Sequence, residues 1–125
     1  MNGDALLYTG SFMIAFWGLA HIVMTKKIVD DFKLESIDKR RVLTMEWVTE
    51  GLTLCFIGGL VVVVTVWGGS KSPASIVVYR SSTVMLVIMA VLSLFTGART
   101  PAVPYKICPP LFMTVAALYF LGSLF

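Results

Sequence analysis

Four long apolar segments account for most of this chain of 125 residues. They run over about 5–24, 42–68, 76–97 and 105–125. A helix needs about 20 apolar residues to cross the hydrocarbon core of a bilayer. Three segments are near or above that length, and the fourth is just long enough. The sequence therefore predicts one transmembrane domain over 1–125, an all-α integral membrane protein folded as an up-down four-helix bundle.

The distribution of charge predicts the orientation of this domain. Charged residues are only 14% of the chain, against about 25% in a soluble domain. Eight of the ten basic residues lie in or beside the first and third loops: Lys26, Lys27, Lys33, Lys39, Arg40, Arg41, Arg99 and Lys106. The positive-inside rule then places both loops in the cytoplasm and both termini outside it, in the cell inner membrane. The net charge of +3 reflects this bias and does not indicate binding of nucleic acid.

Two cysteines and a cluster of prolines complete the outline. We expect Cys55 and Cys108 to be unpaired residues in packed helices, because their depths differ and neither has metal-ligand spacing. Four prolines, at positions 101, 104, 109 and 110, stiffen the third loop. Since proline cannot donate a helical hydrogen bond, they predict that the fourth helix begins near Cys108 or is kinked there.

Three ionisable residues fall inside the first two apolar segments: His21, Glu46 and Glu50. A charged side chain at the centre of a bilayer costs about 2.5–3.5 kcal/mol or more, so each requires a partner or a role. Consecutive spans run in opposite directions, which places all three at similar depth. Glu46, Thr49, Glu50 and Thr53 recur at i, i+3, i+4 and i+7 and therefore share one helix face.

These residues are the candidates for chemistry. Glu50 would be the deeper proton-accepting group, Glu46 its partner, and His21 the proton donor or hydrogen-bond anchor. The two carboxylates repel each other when both are ionised, and His21 or Arg99 could supply the counter-charge. The candidate ligand-binding residues are Trp17, Trp47, Thr49, Thr53 and Arg99.

Three interpretations of this constellation stay open at the level of sequence. The cluster could consist of ion pairs that only fix the register of the helices. It could bind, or exchange protons with, a lipid-soluble molecule. It could also hold a metal ion, although one histidine and two carboxylates are too few for a di-metal bundle. The sequence assigns no metal ligand and names no cofactor.

Two short motifs resemble those of a known group of proteins. The first helix ends on Gly18-x-x-His21, and the second begins with Met45-Glu46-Trp47 followed by Glu50-Gly51-Leu52. With the size and the four spans, they resemble small DoxX-like bacterial membrane proteins. That resemblance implies a four-helix up-down bundle in the cytoplasmic membrane. Some relatives in that group are small subunits of quinone or thiol redox complexes.

The leading functional hypothesis is a binding module or accessory subunit for a lipid-soluble ligand, a quinone or an isoprenoid, at a His/Glu pocket near the cytoplasmic face. One alternative is a membrane-embedded isomerase or cyclase that uses a glutamic acid on a terpenoid, with Trp17 and Trp47 stabilising a carbocation. Another is a small proton-coupled transporter. The expected partners are membrane lipid or the ligand itself, and the chain could act as a homo-oligomer or within a larger membrane complex.

Overall fold

The computed structural model describes residues 2–125 and confirms the predicted all-α four-helix bundle. The helices are α1 (Gly3–Asp31), α2 (Ile37–Val63), α3 (Pro73–Phe95) and α4 (Val103–Leu124). A π-helical turn, Val64–Gly68, continues α2, and a 3-10 turn, Gly97–Arg99, follows α3. Each of the four helices is long and apolar enough to cross a membrane, which is the layout of a multi-pass membrane protein.

Polar residues mark where three of the helices begin. The side chains of Asn2, Ser36 and Ser72 each accept a hydrogen bond from a backbone N–H in the first turn of the helix that follows. These bonds satisfy donors that have no partner within the helix. Pro73, in the first turn of α3, occupies a position where its missing N–H costs nothing.

The first helix is longer than its apolar segment. It continues past Met24 to Asp31, through the two lysines that end the apolar segment. Ile28 and Val29, in these last turns, are 4% and 3% exposed. The extension is therefore an amphipathic end of α1 that packs against the protein.

The prediction that the fourth helix begins near Cys108 is wrong, and the alternative of a kink there stays a prediction. The helix begins at Val103, with Pro104 in its first turn. Pro109 and Pro110 lie inside it. The first turn tolerates proline because its N–H groups have no helical partner, so Pro104 starts the helix one and a half turns earlier.

The helices pack in an uneven ring. α1 lies against both α2 and α4, and α4 lies against α3, whereas α2 and α3 make few contacts. The Thr65 and Tyr79 hydroxyls are 2.7 Å apart, and Ser75 donates to the carbonyl oxygen of Val64 at 3.0 Å. Both contacts lie at the end of α2. The two helices therefore meet at the turn that joins them and leave a groove toward their other ends.

Close backbone approach and buried hydrogen bonds hold the bundle together, as is usual where lipid removes the hydrophobic drive between helices. A Cβ atom on Gly58 would lie 2.7 Å from the carbonyl oxygen of Ser11, so α1 and α2 nearly touch there. The Ser11 and Tyr119 hydroxyls are 3.1 Å apart in the interior. Large apolar side chains face outward, among them Phe12, Phe16, Phe56, Val84 and Ile88.

The two ends of the bundle differ in charge. α1 and α3 end, and α2 and α4 begin, at the end that carries the eight basic residues of the first and third loops. We call it the basic end. Lys71 and Arg80 lie toward the opposite end, where Trp67 is 82% exposed.

Candidate functional site

Side chains from three helices converge in the half of the bundle nearer the basic end. His21 of α1 places its Nε2 atom 3.7 Å from Oε2 of Glu50 on α2 and 3.8 Å from Sγ of Cys108 on α4. One ligand atom from each of the three lies within 4.8 Å of those of the other two. The His21 and Glu50 side chains are 0% and 24% exposed, and Cys108 is 1% exposed. We call these three residues the His21–Glu50–Cys108 cluster.

Two glycines bring α1 and α2 close enough for this convergence. A Cβ atom on Gly18 would lie 2.6 Å from the carbonyl oxygen of Gly51, and one on Gly51 would lie 2.7 Å from that of Gly18. The same Gly51 position is 3.1 Å from Cβ of His21. The helices therefore cross with backbone against backbone at Gly51, one residue after Glu50. Any larger side chain at either glycine would separate His21 from Glu50.

Backbone hydrogen bonding fixes the orientation of the imidazole. Nδ1 of His21 lies 3.0 Å from the carbonyl oxygen of Trp17. A carbonyl can only accept, so Nδ1 carries the proton in this hydrogen bond. In the neutral ring Nε2 is then the nitrogen with the free lone pair. That lone pair is on the side of Glu50 and Cys108, where it can accept a proton or bind a cation.

Aromatic rings enclose the imidazole. Trp47 stacks on it with ring centroids 4.2 Å apart, and Trp17 meets it edge to face at 5.3 Å. The indole N–H of Trp17 also donates to Sγ of Cys108 at 3.3 Å. Tyr105 packs edge to face with Trp47, with ring centroids 4.7 Å apart. Trp17 therefore contacts both His21 and Cys108, and these two residues are shielded from lipid and water.

The groove between α2 and α3 leads to this cluster. It has a volume of about 330 Å³. Four residues of α2 line one side: Glu46, Thr49, Glu50 and Thr53. Four residues of α3 line the other, Met85, Met89, Leu92 and Ser93, followed by Thr96 just after the end of α3. Tyr105 of α4 and Gly97 complete the lining. Glu50 is the one residue that belongs to both the cluster and the groove.

The structure brings some of the predicted site residues together and separates others. His21, Glu50, Trp17 and Trp47 form one packed group. Glu46 is exposed and lines the groove. Within residues 2–125 it makes no ion pair with His21, because it lies one turn nearer the helix start than Glu50.

The other predicted ligand-binding residues lie outside the cluster. Thr49 and Thr53 line the groove, but the Thr53 hydroxyl donates to the carbonyl of Thr49 at 2.8 Å within their own helix. Arg99 is exposed, and its guanidinium carbon lies 5.4 Å from the centre of the Phe95 ring. In the described part of the chain Arg99 forms no ion pair with either glutamate. Arg99 lies at the end of the 3-10 turn. No contact therefore supports the prediction that Arg99 supplies their counter-charge.

Sequence reasoning missed Cys108 as a member of the cluster. Both cysteines are free thiols, as expected. Cys55 donates to the carbonyl of Ala15 at 3.5 Å, in the contact between α1 and α2. Cys108 lies at the basic end of its helix, as His21 does, and this shared depth was the available signal. Spacing along the chain could not reveal it, because 87 residues separate the two.

Comparison of the chain with protein-family models, with curated proteins and with solved structures found no match. The resemblance to DoxX-like proteins therefore stays a prediction.

Proposed function

We propose that this chain is a binding module or accessory subunit of the inner membrane that holds a lipid-soluble ligand, a quinone or an isoprenoid, in the groove between α2 and α3. The observation that carries the proposal is the position of Glu50. Its side chain is 24% exposed at the groove, and its carboxylate lies 3.7 Å from the buried imidazole of His21. A buried polar pair beside a groove whose surface is mostly apolar, with a few polar groups in its lining, is typical of sites for small ligands.

The chemistry of the groove suits a molecule with a polar head and an apolar body. Met85, Met89 and Leu92 offer flexible apolar surface that adapts to an irregular partner. Its volume of about 330 Å³ is at the lower end of the range for ligand pockets. A ring or a terminal isoprene unit fits this space, and the remaining tail would extend along α2 and α3 into lipid.

Glu50 can bind such a head group in either protonation state. As an acid it donates a hydrogen bond to a carbonyl oxygen, and as a carboxylate it accepts one from a hydroxyl group. His21 Nε2, behind it, can accept the proton that Glu50 gives up. The pair therefore supports binding to both the oxidised and the reduced form of a quinone.

The test of this proposal measures binding of a short-chain benzoquinone to the protein in detergent micelles. We expect Glu50→Gln to weaken binding roughly tenfold, since hydrogen bonds that involve a charged group contribute about 1.5–3 kcal/mol. Met89→Phe should weaken it as well, because the larger ring fills the groove. Isothermal titration gives both affinities.

Two matched variants control for indirect effects. Glu35→Gln removes an exposed carboxylate in the first loop, and Met113→Phe enlarges an exposed methionine on α4. Both should bind the quinone as the unchanged protein does. Equal affinity in all four variants would overturn the proposal, as would organic extracts of the purified protein that contain no quinone or isoprenoid together with no measurable binding.

The orientation is a separate part of the proposal. With the basic end in the cytoplasm, both termini lie outside it. We expect alkaline phosphatase fused after Phe125 to be active and green fluorescent protein at the same point to be dark. Fusions of the same two reporters after Thr100, in the third loop, should give the opposite result. A fluorescent fusion at the C-terminus would contradict this orientation.

The geometry supports the enzyme alternative less well than it supports the binding proposal. The carbocation hypothesis needs the faces of Trp17 and Trp47 toward a substrate. Trp47 instead stacks on His21, and neither tryptophan lines the groove. No comparable observation favours a transporter, so the binding proposal is the one we retain.

A further inference from the structure

We infer that His21, Glu50 and Cys108 form a binding site for one divalent metal ion of intermediate softness, with Zn²⁺ as the best match. This inference does not rest on the quinone or isoprenoid proposal, although the two share His21 and Glu50. It rests on the distances among three donor atoms, the orientation of the imidazole and the balance of charge.

The distances fit a tetrahedral ion. With Zn–N of about 2.0–2.1 Å and Zn–S of about 2.3 Å, neighbouring donor atoms in a tetrahedron lie about 3.4–3.6 Å apart. Nε2 of His21 is 3.7 Å from Oε2 of Glu50 and 3.8 Å from Sγ of Cys108. An ion at the centre would need to shorten these two distances by only a few tenths of an ångström. The donor atoms of Glu50 and Cys108 lie within 4.8 Å of each other, so this third pair closes by about 1 Å at most when the ion binds.

The imidazole is already oriented as a ligand. Histidines that bind metals donate their other ring N–H to a carbonyl or a carboxylate, which fixes the tautomer. Nδ1 of His21 makes this bond to the carbonyl of Trp17 at 3.0 Å and leaves Nε2 on the side of Glu50 and Cys108. Trp17 also donates its indole N–H to Sγ of Cys108 at 3.3 Å, a bond that would stabilise a thiolate. One residue therefore orients two ligands.

The donor set balances the charge of the ion. Zn²⁺ with one thiolate, one carboxylate and one neutral imidazole has no net charge, which suits a site inside a membrane bundle. On binding, the ion replaces the proton of the Cys108 thiol and any proton on Glu50, and both protons leave to the buffer. A thiolate and an imidazole favour Zn²⁺ over Mg²⁺ or Ca²⁺, which prefer oxygen ligands.

Three protein ligands leave one position of a tetrahedron open. His21 is fully buried and Cys108 is 1% exposed, whereas Glu50 lines the groove. The open position therefore lies on the groove side of the cluster. Sites with three protein ligands and an open fourth position bind water or a polar oxygen of a ligand there.

The test uses Co²⁺, which reports its ligands by absorption, and Zn²⁺ as the competitor. We expect the EDTA-treated protein in detergent to bind one Co²⁺ ion with strong visible bands of tetrahedral geometry and a near-ultraviolet band from thiolate-to-metal charge transfer. Added Zn²⁺ should remove both. Cys108→Ser should abolish the charge-transfer band and weaken Zn²⁺ binding at least tenfold.

Cys55→Ser is the matched control, because it removes the other thiol and should leave the spectrum and the affinity unchanged. Near-ultraviolet circular dichroism of each variant shows that it is folded, and Glu50→Gln gives a second ligand variant should Cys108→Ser fail to fold. Absence of Co²⁺ and Zn²⁺ binding, a spectrum without the thiolate band, or equal binding in both cysteine variants would overturn the metal site. Quinone binding by the EDTA-treated protein is measured separately, so the two proposals fail or stand independently.

Discussion

Gly51→Ala is expected to separate α1 from α2 and to destabilise the bundle strongly. The added Cβ would lie 2.7 Å from the carbonyl oxygen of Gly18 and 2.8 Å from Cγ1 of Ile22. A backbone oxygen cannot rotate away, so the helices must move. Over-packing costs typically 1–3 kcal/mol, and we expect about 3 kcal/mol here because backbone meets backbone. Thermal unfolding in detergent micelles, followed by near-ultraviolet circular dichroism, measures the loss.

The same helix supplies matched controls for this prediction. A Cβ on Gly58 would lie 2.7 Å from the carbonyl oxygen of Ser11, whereas one on Gly59 would meet no described atom within 4 Å. We expect Gly58→Ala to behave like Gly51→Ala. Gly59→Ala should equal or exceed the unchanged protein in stability, since alanine favours a helix over glycine by about 1 kcal/mol. Similar unfolding temperatures for all three variants would contradict the close-packed interface.

The sequence allowed prediction of the spans because their length and composition carry that information directly. It also allowed prediction that His21 meets the face of α2 that carries Glu46 and Glu50, although of these two only Glu50 reaches the imidazole. Adjacent antiparallel helices place residues near the loop that joins them at similar depth, and an ionisable residue in a span must find a partner. This prediction needed only the order of the helices and the position of each residue along its span.

The arrangement of the helices around the ring could not be predicted in the same way. In a soluble bundle the apolar face shows which side is buried, but in lipid both faces are apolar. Nothing in the apolar pattern therefore shows that α1 packs against α4, which brings Cys108 to His21, or that α2 and α3 part to form the groove. The small residues that permit close approach were visible, yet Gly18, Gly58 and Gly59 look alike in sequence and only the first two lie at an interface.

The predicted helix boundaries were wrong for a related reason. An apolar count stops at the first lysines, whereas the α-helix continues as long as its hydrogen bonds are satisfied and one face is buried. α1 therefore ends at Asp31 instead of near Met24. Similarly, the sequence marks Pro104 as a loop residue, although a proline in the first turn is compatible with helix.

Trp47→Ala is expected to cost about 3 kcal/mol in the free energy of unfolding. Trp47 is 1% exposed and contacts both the imidazole of His21 and the ring of Tyr105. Truncation of a buried tryptophan costs about 3–5 kcal/mol in soluble proteins. We expect a value at the low end of this range, because the unfolded side chain is surrounded by detergent or lipid instead of water. The cost then comes mainly from lost packing and from the cavity left behind. Unfolding by sodium dodecyl sulfate in mixed micelles measures the change.

Two further substitutions distinguish the effect of lost packing from the effect of the unpaired indole N–H of Trp47. Trp67→Ala makes the same truncation at a residue that is 82% exposed, and it should change the unfolding free energy by less than about 1 kcal/mol. Among residues 2–125, the buried Nε1 atom of Trp47 has no hydrogen-bond partner. Trp47→Phe keeps an aromatic face on His21 and removes that unpaired donor, so it should be clearly milder than Trp47→Ala. If Trp47→Ala unfolds no more easily than Trp67→Ala, the imidazole is not held by this stack, and the enclosure of the cluster is wrong.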